Sequence, residues 1–85
     1  MNAIHKNHLY PPIAMEAEIS GDVSVRFIVD ANGLPREFVI VTEDPPGFDF
    51  GEKAIEALKA MRYKPGYRDG QYLEQPLLQR VRFVP

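Results

Sequence analysis

The 85-residue chain has no cysteine and no tryptophan, two serines, two histidines, and no run approaching the roughly 20 apolar residues of a membrane span. Without cysteine there is no disulfide framework and no thiolate metal site, and either redox compartment stays open. No charged-then-apolar amino terminus resembles a signal peptide, so a role outside the cytoplasm implies a segment upstream of this sequence. His5 and His8 stand three apart with no ligand partner at a recognisable spacing. Ser20 and Ser24 lack the glycine pattern of a nucleophile elbow, and Asp44, Asp49 and Glu52 do not have the spacing of a calcium loop. The expectation is a domain with no catalytic centre, no metal and no cofactor.

What is present fits one small α+β domain with a thin core: 45% of residues are hydrophobic and 26% charged. Net charge is −2, which argues against a general nucleic-acid binder. The charge is uneven, with three Lys/Arg against eight Asp/Glu in residues 1–50 (−5) and seven against four in residues 51–85 (+3). Two solvated faces account for that split; the sharper reading is a basic half turned toward an acidic or polar partner. Phe27, Tyr63, Tyr67, Tyr72 and Phe83, interleaved with Arg62, Arg68, Arg80 and Arg82, would suit a base-stacking platform, but core packing of Phe27 and Phe83 is the stronger reading.

Residues 1–9 are polar and patternless, and read as a flexible lead-in to a domain over 10–85. Prolines followed by good helix formers predict a short helix over Pro12–Glu18. From Val23 the pattern alternates, with Val23, Val25, Phe27 and Val29 on one face, and Asn32-Gly33 signals a tight connection into a second strand through Phe38, Val39, Ile40 and Val41. Asp44-Pro45-Pro46-Gly47 is a loop. Phe50, Ala54, Ile55, Ala57, Leu58 and Met61 then recur at helical spacing, until Pro65-Gly66 stops the helix. A third strand over Tyr72–Phe83 puts Leu73, Leu77, Val81 and Phe83 on one parity. The economical fold is a three-stranded antiparallel sheet with two helices packed on one face. Pro76, which cannot donate to a ladder, marks the last strand as an edge.

The ordered set Tyr10-Pro11-Pro12-Ile13-Ala14, Ser20-Gly21-Asp22-Val23 through Asp30, Asn32-Gly33, Phe50 with Ala54 and Ala57, Arg62-Tyr63-Lys64-Pro65, Asp69-Gly70 and Val81-Arg82-Phe83 resembles the TonB carboxy-terminal domain family. The resemblance runs from Tyr10 to Phe83. It departs from the family in carrying Met61 where many members have tryptophan, and His5-Lys6-Asn7-His8 where the best-known branch has a Gln-Pro segment. The resemblance implies a non-catalytic periplasmic module of an inner-membrane energy transducer, coupled upstream to the proton-driven ExbB and ExbD. It also implies docking of the TonB box of outer-membrane transporters that import siderophore-bound iron or vitamin B12. Docking by strand addition to the last strand would engage Glu74, Pro76, Leu78, Arg80 and Arg82. An open edge and a short preceding turn also predict strand-exchanged homodimers. The same fold on a sensor, secretion or peptidase-linked protein is the alternative, and a small nucleic-acid-binding domain the remote one.

Overall fold

A strand whose odd positions are Val23, Val25, Phe27 and Val29 has to turn that face away from water. In the computed structural model of the chain, which describes residues 2–5 and 9–85, all four side chains are 1% exposed or less. The elements run β1 (Asn2–Ile4), α1 (Pro12–Glu16), β2 (Gly21–Val29), β3 (Pro35–Asp44), α2 (Phe50–Lys59), β4 (Gly66–Arg68), β5 (Gln71–Leu73) and β6 (Gln75–Phe83). One sheet has the order β1-β6-β2-β3, and β4 and β5 form a separate two-stranded ribbon.

The class is α+β, as expected, but the three-stranded antiparallel sheet is corrected to a mixed one of four strands. β2 pairs antiparallel with β3 and β6, while β1 runs parallel to β6. The added strand comes from the stretch read as a lead-in. Its one buried apolar side chain, Ile4, seats three residues on the sheet. His5 is exposed, and Lys6, Asn7 and His8 lie outside the described residues.

The run expected as one strand over Tyr72–Phe83 is divided. Asp69 and Gly70 both have left-handed backbone (φ 50° and 79°), the geometry whose twist matches a two-residue hairpin loop. Gln71–Leu73 therefore folds back on Gly66–Arg68, and β6 begins after Glu74.

Helix α1 stops two residues earlier than expected because Glu18 adopts φ 54°. The Glu18 N–H then donates to Met15 O (3.1 Å) and the Ile19 N–H to Ala14 O (2.9 Å), which satisfies two terminal carbonyls. In α2, Phe50, Ala54 and Leu58 are buried, with Glu52 in the first turn and Lys59 in the last, each the favourable charge for its helix end. Met61, expected on the same apolar stripe, is 41% exposed, because the helix ends at Lys59 and the chain has already left its axis. Tyr63 packs on the core instead and donates its hydroxyl to Leu58 O at 3.1 Å.

Both helices close over the same sheet face. Ala14 from α1, the buried stripe of α2, the odd positions of β2, Val81 and Phe83 of β6, Tyr10 and Ile4 form one core. Tyr10 meets the rings of Phe50 and Phe83 edge-on, with centroids at 6.0 and 5.7 Å, and its hydroxyl donates to the Ile19 carbonyl. Burial raises the pKa of both Tyr10 and Tyr63 above the ordinary 10.0.

The β2–β3 loop locks the segment after α2 in place. Asp30 Oδ1 accepts the N–H groups of Asn32 (2.8 Å) and Leu34 (3.0 Å), and the Leu34 bond chiefly holds the carboxyl pKa below its ordinary value. Gly33 sits at φ 84°, and its carbonyl accepts the Tyr63 N–H at 3.0 Å. A Cβ on Gly33 would press against the Tyr63 carbonyl oxygen, whereas one on Gly70, also left-handed, would meet nothing. Gly70→Ala is therefore expected to cost about 1–2 kcal/mol from backbone strain alone. Gly33→Ala should cost about 1–3 kcal/mol more through the added clash. Chemical unfolding of the two variants compares them directly; equal losses would mean that the Gly33–Tyr63 contact is not held in solution.

Candidate functional site

β6 is paired along its whole length on one side only. Facing β2 it forms nine consecutive pairs from Gly21↔Phe83 to Val29↔Gln75, with no register shift. On its other side β1 reaches only Val81, Arg82 and Phe83. Among the described residues nothing pairs with Gln75–Arg80 on that side.

Which backbone groups point there follows from strand alternation. The Val84 N–H donates to Ile4 O (2.9 Å), so even-numbered positions turn their backbone groups toward β1. With no bulge opposite β2, the same parity holds at Arg82, Arg80, Leu78 and Pro76. The N–H groups of Leu78 and Arg80, and the carbonyls of Pro76, Leu78 and Arg80, therefore face the open side. Pro76 has no donor to lose there, and this is why β6 tolerates it. Leu77, Gln79 and Val81 direct their groups inward, to β2.

The side chains alternate as well. Leu77, Gln79, Val81 and Phe83 lie on the helix-covered face and are partly or fully buried. Pro76, Leu78, Arg80 and Arg82 are exposed on the opposite face, and Leu78 is 66% exposed. Beside them, Arg26 and Ile28 of β2 extend the same face. Arg80 approaches Asp22 Oδ1 at 3.6 Å; that carboxylate oxygen is shielded and has no hydrogen bond, so the guanidinium is its compensating charge. The pair is surface-exposed and contributes at most about 1 kcal/mol.

Of the five residues singled out from sequence, Pro76, Leu78 and Arg80 fall together on the open stretch. Arg82 pairs with Ala3, at the end that β1 covers. Glu74 precedes β6 and turns the other way, into an ion pair with Arg36 of β3. Two features escaped sequence reading. β1 has three residues and too little pattern to announce a strand. The outer edge of β3, with Val39, Ile40 and Val41 exposed, is also open among the described residues. An open concavity of about 720 Å³ between β3 and α2 is lined by Leu34, Phe38, Ile55, Lys59 and Arg62 among others. Lys59 lies 5.9 Å over the Phe38 ring. Among the described residues no group of three or more His, Cys, Asp or Glu is placed to hold a metal ion, and no helix is long and apolar enough to cross a membrane.

The parity of β6 is testable by proline. Gln79→Pro removes an inward bond to β2 and is expected to destabilise the domain by about 3 kcal/mol or more. Leu78→Pro removes only an outward donor and should stay within about 1 kcal/mol of the parent, because proline is tolerated at unpaired positions. Thermal unfolding of both variants checks the order; a folded Gln79→Pro beside an unfolded Leu78→Pro would overturn the register.

A domain with this order of elements has relatives. The family model described as Gram-negative bacterial TonB protein C-terminal matches residues 6–85. Among solved structures the chain is similar to the TonB2 protein from Vibrio anguillarum, with 25% sequence identity and a TM-score of 0.58, over 89% of this chain and 74% of that one. No curated protein matches it. The motifs from Tyr10 to Phe83, the two helices over one sheet face and the family match over residues 6–85 agree, and the chain belongs to the family of Gram-negative bacterial TonB carboxy-terminal domains, which are periplasmic energy-transduction and interaction domains.

Proposed function

We propose that the chain docks the TonB box of an outer-membrane TonB-dependent transporter as an added strand on β6, between Gln75 and Arg80. The single observation that carries this reading is the run of outward backbone groups at Pro76, Leu78 and Arg80 on a bulge-free strand whose other side is fully paired. Main-chain bonds to that run supply affinity, and the alternating side chains beside it supply selectivity. Leu78 offers an apolar contact, and Arg80 and Arg82 a cationic one, which suits a partner segment with apolar and acidic residues. Upstream segments would couple the domain to ExbB and ExbD, so that inner-membrane proton-motive energy reaches import of substrates of the siderophore-iron or vitamin B12 class. The domain itself needs no catalytic group for this, since force passes through the bound strand. Strand-exchanged homodimers would use the same edge and therefore compete with docking.

Amide shifts during titration with a synthetic TonB-box peptide test the reading. Leu78 and Arg80 are expected to move most. Leu78→Pro, lacking one donor worth about 1 kcal/mol, is expected to bind roughly five-fold more weakly. Shifts confined to the Asp44–Asp49 loop would reject the site.

A further inference from the structure

β1 and the proposed partner strand share one edge. Asn2 lies beside Val81, Ala3 beside Arg82 and Ile4 beside Phe83, directly in line with the open stretch Gln75–Arg80. The hold of β1 on the sheet is slight. It is three residues long, Ala3 and the following His5 are exposed, and Ile4, 7% exposed, is its link to the core. The residues it covers do not depend on it, because Val81 and Phe83 are paired on their other side with Val23 and Gly21 of β2. β1 can therefore leave without opening the rest of the sheet. A docked strand confined to Gln75–Arg80 leaves the pairs of Asn2–Ile4 with Val81–Phe83 in place. A longer one, continuing along Val81–Phe83, requires the same backbone groups and the same apolar site.

We infer that β1 is a displaceable plug on the docking edge, and that an incoming strand that continues past Arg80 replaces Asn2–Ile4 and seats an apolar side chain where Ile4 lies. This rests on the docking reading above and adds two things to it. Partner segments are selected by whether they reach past Arg80, and by an apolar residue at the position beside Phe83. The free chain also protects that end of its edge with its own strand, as exposed strand edges require.

The experiment uses the full chain with methyl-labelled isoleucine and two synthetic TonB-box peptides, one of six residues and one of ten, the longer carrying an apolar residue at the position beside Phe83. The six-residue peptide is expected to shift the Leu78 and Arg80 amides and leave the Ile4 methyl signal in place. The ten-residue peptide should shift the same amides and move the Ile4 methyl to the position of a solvent-exposed isoleucine. Ile4→Ala, which weakens the plug, should bind the ten-residue peptide about five-fold more tightly, since the fraction of chains with a free edge scales the apparent affinity. Its affinity for the six-residue peptide should be unchanged. An Ile4 methyl that stays buried at saturation with the ten-residue peptide overturns the displacement while docking stands. So does an Ile4→Ala variant that gains nothing for that peptide. If neither peptide moves Leu78 and Arg80, the docking reading fails and the plug with it.

Discussion

The uninterrupted ladder between β2 and β6 is the constraint on which the rest of the structure depends. Nine consecutive pairs without a bulge tie the parity of β6 to that of β2, and the parity of β2 is set by Val23, Val25, Phe27 and Val29. A slip of one residue would turn Val81 and Phe83 out of the core, each at about 1.5–3 kcal/mol of lost burial. The hydrophobic effect thus fixes which face of β6 is buried, and by the geometry of a strand this also fixes which backbone groups look away from β2. The proposed site is a consequence of core packing, with no separate set of residues needed to build it.

Regularity of pairing separates the open edge of β6 from that of β3. β3 is the more apolar, with Val39, Ile40 and Val41 all exposed, yet its pairing with β2 shifts twice, between Ser24 and Val25 and between Arg26 and Ile28. Glu37, within the second irregularity, has φ 57°. Shifts of that kind twist an edge and break the even spacing of its donors, which makes it a poor template for another strand. β6 has no such break, and it carries Arg80 and Arg82 from the basic half of the sequence on the face beside its edge. Regularity distinguishes the site better than exposed apolar area does.

Much of this was legible in the sequence, for physical reasons that differ by element. The alternation of β2 is strong because that strand is buried on one face by both helices, and α2 shows its stripe because Phe50, Ala54 and Leu58 must reach the same core. Pro76 is legible because a missing donor inside a strand is tolerated only on an edge or at a bulge. The break at Glu74 was hidden: Leu73 and Leu77 keep the same parity across it, so periodicity alone reads through the turn. Asp69-Gly70 was visible as a turn, but Gly66–Arg68 has too little apolar alternation to declare itself as the other half of a ribbon. β1 is a tertiary effect, a three-residue segment made a strand by the edge it lies on. That is why the covered end of the site, at Arg82, was out of reach of sequence, while Leu78 and Arg80 were not.

Amide hydrogen exchange in the free chain tests the central claim most directly, residue by residue along β6. The account predicts alternation: Leu77, Gln79 and Val81 protected by β2, Leu78 and Arg80 exchanging rapidly between them. Uniform protection from Leu77 to Val81, or protection of the even positions with rapid exchange at the odd ones, would contradict it.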